Sequence, residues 1–293
     1  MTVRQKKDVI AAYLFLLPNI IGFFVFTIGP VAASLILSFF NWPVLNPPTF
    51  VGFQNYLELA KDPLFKKALL NTLKYVVEYL PLNIVISLLL ASWLSKDIKG
   101  ITIYRTLFFL PVLSPGVAVA SIWRWIYQPE FGLFNGILES IGIKGPNWLG
   151  DVKIAMFSVV LMSVWWGVGY NTVVFMAGIK AIPHTLYEAA EIDGANSIGK
   201  FFKITIPLLS PTLFFGIVMT LITSFQVFDQ IYIMTNGGPM NATTTLVMYI
   251  FQNGFQFFKM GYAAAISWIL FIMIFVLTLI QLKMQKNWVT YDI

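Results

Sequence analysis

The chain has 293 residues, of which 58% are apolar, 16% aromatic and only 11% charged, and its mean hydropathy of +0.78 lies outside the range of soluble domains and marks a polytopic membrane protein. Cysteine is absent and His184 is the one histidine, which excludes disulfide and thiolate chemistry and leaves too few ligands for a metal centre. The net charge of +6 points to loops that gather Lys and Arg at a cytoplasmic membrane face rather than to nucleic acid, because no basic run is longer than Lys6-Lys7 or Lys66-Lys67.

The first apolar run extends over about residues 9–40, behind Arg4, Lys6 and Lys7. A signal-peptide apolar region is roughly 7 to 15 residues long, so the run reads as an uncleaved first span, kinked at Gly29-Pro30, despite the Val31-Ala32-Ala33-Ser34 sequence. Trp42-Pro43 and Pro47-Pro48 then break helix, and Tyr56, Leu59, Ala60 and Phe65 suggest a short amphipathic surface helix. Further spans are predicted over about 68–95, 101–127, 152–179, 206–234 and 261–283. The fold class is therefore all-α integral membrane, with six spans forming one transmembrane domain over 1–293 and both termini on the same side. Eleven of the 19 Lys and Arg residues fall on that side, which places the termini in the cytoplasm. No Gly-x-x-x-x-Gly-Lys-Ser/Thr sequence occurs, so any nucleotide-hydrolysing site that drives this chain belongs to another one.

Polar residues inside the spans are few. Lys74 and Glu78 stand one turn apart and suit a mutual pair near the outer end of the second span. Arg124, between Trp123 and Trp125, suits snorkelling to outer headgroups. Asn83 and Asn171 are placed to bridge helices, and Asp229, near Gln226 and Gln230, is a candidate for the outer mouth of a pathway. On the fourth span Ser163, Trp166, Gly167 and Tyr170 recur at i, i+3, i+4 and i+7, and on the fifth Thr220, Thr223, Ser224 and Val227 do the same. Two readings stay open for these faces: close packing of small and hydroxylated residues, or a solute pathway whose hydroxyls and rings suit a sugar.

Between those two spans lies the long polar segment 180–205. Thr185 followed by Glu188 has the form of a capping box, Asp193-Gly194 supplies a turn, and a second short helix can restart from Asn196 or Ser197. Pro207 and Pro211 stiffen the re-entry into the fifth span. A helix-turn-helix of this kind elsewhere contacts nucleic acid, but both of its ends run into membrane-length apolar segments.

Glu188-Ala189-Ala190, Asp193-Gly194-Ala195, Phe202, Ile204, Pro207 and Pro211 resemble the EAA loop of permease subunits of binding-protein-dependent ABC importers. From about Val51 onward, segments such as Val51-Gly52-Phe53-Gln54-Asn55-Tyr56, Asn71-Thr72, Arg105-Thr106-Leu107-Phe108-Phe109-Leu110-Pro111 and Thr235-Asn236-Gly237-Gly238-Pro239 resemble the carbohydrate branch, of maltose and glycerol-phosphate type. The resemblance implies a type I importer permease fold with a cytoplasmic coupling helix. It also implies alternating access and a complex with a second homologous permease, two cytoplasmic ATPase subunits that use ATP and Mg, and an extracytoplasmic sugar-binding protein. By the same resemblance Glu188, Ala189, Ala190, Asp193, Gly194 and Ala195 couple to the ATPase, and the two helix faces line the sugar path. Thr235 to Pro239, the Trp148 region and Phe50 to Tyr56 would shape the surface that meets the binding protein. Family members commonly carry Asn where this chain has Thr223, Ser224 and Val227, so no particular sugar is implied. The rival reading is a stand-alone secondary transporter, which calls for mid-membrane coupling carboxylates and repeated broken helices that the sequence does not display.

Overall fold

The computed structural model describes residues 3–96 and 99–290, with side chains from residue 12 onward in the first helix. The side chains of Arg4, Lys6 and Lys7, which weigh in the orientation, lie outside the described residues. Helix α1 (Val3–Phe23) passes through a π-turn (Phe24–Ile28) into α2 (Gly29–Leu37). Pro30 has no N–H to give, and the Gly29 amide reaches back to the Phe24 carbonyl. The expected kink is thus taken up by a widened turn just ahead of the proline. The strands β1 (Phe40–Asn41) and β2 (Thr49–Phe50) form a small antiparallel pair, and α3 (Gln54–Lys61) follows. Leu59 is buried as the amphipathic pattern requires, whereas Ala60 is exposed and Phe65 belongs to the next helix.

That helix, α4 (Pro63–Leu94), is 32 residues long. The predicted span over 101–127 is two helices, α5 (Ile101–Leu113) and α6 (Gly116–Ile126), bent by 99°. The break has a local cause. Ser114 precedes Pro115 and is extended (φ −79°, ψ 141°), because the proline ring excludes the α conformation from the residue before it. After α7 (Leu133–Ser140) comes α8 (Ala155–Ala181). Then α9 (His184–Ile192), α10 (Ser197–Lys200) and a second π-turn (Phe201–Thr205) lead into α11 (Ile206–Phe225). The Ile206 amide bonds the Phe201 carbonyl one residue before Pro207, the same device as at Pro30.

The predicted span over 206–234 ends early, at Phe225. Residues 226–228 leave the helix before α12 (Asp229–Met234) begins. The hydroxyls of Thr223 and Ser224 bond carbonyls of their own last turns, at 3.0 Å to Met219 and 2.8 Å to Leu221, and Thr245 donates to the freed Val227 carbonyl at 3.2 Å. Side-chain competition loosens the helix end, and an internal partner satisfies the exposed backbone. Helix α13 (Leu246–Phe251), a third π-turn (Gln252–Gln256) and α14 (Met260–Met284) complete the order. Among the described residues, five helical segments are long and apolar enough to cross a membrane, and the bent α5–α6 pair makes six if it is one span.

Two compact units emerge, residues 1–62 with 250–269 and residues 63–249 with 270–293. In the first, Asn55 donates to the Ser38 and Phe40 carbonyls at 2.8 and 3.0 Å, and the Tyr56 hydroxyl meets Ser38 Oγ at 2.7 Å. The Trp268 indole donates to Ser34 Oγ at 3.2 Å. In the second unit, Tyr75, Met156, Val159, Val160, Met162 and Ile231 form the core between α4, α8 and α12. A β-carbon at Gly169 would stand 2.5 Å from the Phe108 carbonyl oxygen, so the approach of α5 to α8 requires glycine there. The Arg105 guanidinium donates twice to the Leu94 carbonyl, at 3.1 and 2.7 Å, and closes the end of α4.

Candidate functional site

A cavity of about 460 Å³ opens between α4, α8, α11 and the break after α11. Seven of the eight residues predicted for the two helix faces line it: Trp166, Gly167, Tyr170, Thr220, Thr223, Ser224 and Val227. Ser163 is the exception. It is buried, its hydroxyl donates to the Val159 carbonyl at 2.8 Å, and it is absent from the lining. Val227 reaches the cavity for a reason other than the predicted spacing, since it stands in the non-helical break and not on the α11 face.

Helix α4 contributes a wall that the sequence reading missed. Tyr75 and Tyr79 stack with ring centroids 5.4 Å apart and line the cavity. With Asn83 they recur at i, i+4 and i+8, the signal that could have found them. Gly167 lies against this wall, where a β-carbon would be 2.4 Å from the Tyr79 hydroxyl oxygen. The Trp166 indole donates to the Ser114 carbonyl at 3.2 Å, which holds its ring across the α5–α6 break. Asn171 joins three helices by donating to Asn83 Oδ1 at 2.7 Å and Thr220 Oγ1 at 2.8 Å, the bridging expected of both asparagines. Asp229, Gln226 and Gln230 also face the cavity. The Lys74–Glu78 pair forms at 3.9 Å, and Arg124 donates to the Ile233 carbonyl at 3.4 Å.

The polar segment 180–205 is a two-helix hairpin that starts differently from the prediction. Pro183 (φ −56°, ψ 127°) occupies the position ahead of α9, so Thr185 is already inside the helix and the capping box with Glu188 does not form. Glu188 instead meets His184 Nδ1 at 2.9 Å, one turn back. The C-terminal turn is as expected. Gly194 adopts φ +77°, the Gly194 amide bonds the Glu191 carbonyl at 3.0 Å, and the Ala195 amide bonds Ala190 at 2.8 Å, the paired closure of a Schellman motif. Asn196 caps α10 by accepting from the Gly199 amide at 2.7 Å. Lys200 bonds Glu191 across the hairpin and holds that carboxyl below the usual carboxylate range. Tyr187 meets Thr205 Oγ1 at 2.9 Å and ties α9 to the π-turn. Glu188, Ala189, Asp193 and Gly194 are exposed, Ala190 and Ala195 half-buried, and Ile192 and Ile198 stand out at 88% and 70% exposure.

At residues 235–246 Asn236 and Gly237 take positive φ, and Thr235 Oγ1 meets Thr243 Oγ1 at 2.7 Å. Asn71 donates to the Asn241 and Thr244 carbonyls, both at 2.9 Å, and Thr72 Oγ1 accepts from the Leu246 amide at 2.9 Å. The Asn71-Thr72 pair is therefore the anchor of this glycine-rich turn.

The family described as binding-protein-dependent transport system inner membrane component matches residues 83–287. The chain is 39% identical over 292 residues to the probable ABC transporter permease protein YesP of Bacillus subtilis, covering 98% of this chain and 94% of that protein. It is 38% identical to the arabinooligosaccharides transport system permease protein AraP of the same organism, over 94% of this chain and 89% of the relative. Among solved structures, a chain of a bacterial alginate ABC transporter in complex with alginate pentasaccharide-bound periplasmic protein superposes with a TM-score of 0.84 at 23% identity, covering 97% and 96% of the two chains. The chain belongs to the family of inner-membrane components of binding-protein-dependent transport systems, with the type I permease fold.

Proposed function

We propose that this chain is the permease subunit of an ATP-driven importer that moves a sugar or oligosaccharide across the cytoplasmic membrane by alternating access, with both termini cytoplasmic. The observation that carries the reading is chain continuity. The hairpin 184–200 leaves α8 and enters α11, and both helices line the cavity. Displacing the hairpin therefore moves two walls of the cavity, a linkage that lets a distant event open one side and close the other. Glu188, Ala189, Ala190, Asp193, Gly194 and Ala195 seat in a partner ATPase, which binds ATP and Mg, while a second permease and an extracytoplasmic binding protein complete the complex. The relative named for arabinooligosaccharide transport supports a saccharide, as does a lining of rings, hydroxyls and amides, which matches the C–H faces and hydroxyls of a sugar.

Uptake by the complex reconstituted with its binding protein tests the cavity. Tyr170→Ala and Thr223→Ala are expected to lower sugar uptake while the complex still assembles. Loss of assembly in both variants would instead assign these faces to helix packing.

A further inference from the structure

We propose that Asp229 sets the charge preference of the cavity, so that this permease accepts uncharged or aminated saccharides and rejects uronates and sugar phosphates. The inference rests on the saccharide reading above and adds to it the class of saccharide.

Among the described residues that line the cavity, Asp229 is the one acidic side chain, and no Lys, Arg or His joins it. Two basic residues on or against the lining helices are engaged elsewhere. Arg124, the basic residue of α6, donates to the Ile233 carbonyl near the far end of α12, and Lys74 pairs with Glu78. Neither lines the cavity. The carboxylate lies beside the start of α6. A β-carbon at Gly116 would stand 3.4 Å from Asp229 Oδ2 and 3.1 Å from the Trp166 ring, so carboxylate and indole meet over the bare Cα of the first residue of α6. Tyr79 and Tyr170 line the same cavity, so a sugar stacked on their rings would turn hydroxyls toward an acceptor that takes two hydrogen bonds.

An anionic substituent brought about 6 Å from Asp229, at an effective dielectric constant of about 20, is disfavoured roughly a hundredfold relative to a neutral one. A hydroxyl donates to the same oxygens, and an ammonium group is attracted by them.

Calorimetric titration of the nanodisc-embedded transporter without its binding protein reads the preference of the membrane domain alone. The probes are a panel of uncharged disaccharides with the uronate and hexosamine counterpart of each. For the wild type, the uronates are expected to bind at least about 30-fold more weakly than their uncharged parents. Asp229→Glu should keep that ratio, Asp229→Asn should reduce it to under about threefold, and Asp229→Lys should favour the uronates. Equal wild-type binding of uronate and parent, a measurement that needs no variant, would overturn the inference and leave the saccharide reading standing. Discrimination that survives in Asp229→Asn would overturn the role of Asp229. Binding of no saccharide by an assembled complex would overturn the saccharide reading and this inference with it.

Discussion

Asn171 satisfies two partners with one amide nitrogen, Asn83 on α4 and Thr220 on α11, at a depth where water is scarce and a lost partner leaves a polar group buried. Asn171→Ala should therefore destabilise the membrane domain by about 1 to 2 kcal/mol. Thermal unfolding of the purified complex reads this as a lowered midpoint, and Asn171→Ala at the wild-type midpoint would contradict it. On the hairpin, the Lys200 ammonium depresses the Glu191 carboxyl. A carboxyl depressed in the folded state stabilises it above the unfolded value of about 4.3, and that contribution is lost as pH falls through the lower folded value. Wild type and Lys200→Met should thus differ in hairpin protection from hydrogen exchange at neutral pH and converge as acidification takes the pH below the depressed folded value.

At the scale of elements, Gly194 holds the turn between α9 and α10 in a left-handed conformation with open space around its Cα. Gly194→Ala meets no clash, so its cost is backbone strain alone, about 1 to 2 kcal/mol, and should appear as faster hydrogen exchange confined to residues 184–200. Asn71→Ala should do the same for the turn at 235–246, because it removes the donor to both the Asn241 and Thr244 carbonyls. The hairpin was legible in the sequence to within a residue or so at the turn and at Asn196, since Asp193-Gly194 and an Asn cap act locally. Its start was misread because Pro183, and not the Thr185–Glu188 pair, takes the position ahead of the helix. The spans were legible from apolar length, but the two breaks were not equally so. Pro115 announces the first, whereas the second lies at Gln226-Val227-Phe228, with neither Gly nor Pro, and depends on Thr245 from 18 residues downstream. The cavity was half legible for a similar reason. Spacing on α8 and α11 is a property of each helix by itself, while the Tyr75–Tyr79 wall gains its meaning only once α4 packs beside Gly167.

For the whole molecule, the account turns on one mechanical link, in which an exposed hairpin with a rigid, hydrogen-bonded turn joins two walls of a polar and aromatic cavity. Lys200–Glu191 and Tyr187–Thr205 brace the hairpin internally, and the π-turn at 201–205 passes it into α11 without a gap in the helical run. On the reading proposed above, a load on residues 188–195 would be transmitted as a displacement and not dissipated in a flexible loop. The most direct test is sugar-stimulated ATP hydrolysis by the complex reconstituted with its binding protein and ATPase subunits, comparing wild type with Gly194→Asp, which places a side chain and a charge at the tip of the turn. The account predicts that the assembled Gly194→Asp complex loses sugar-stimulated hydrolysis and uptake together while the membrane domain still binds sugar; full stimulation and uptake in that variant would contradict it.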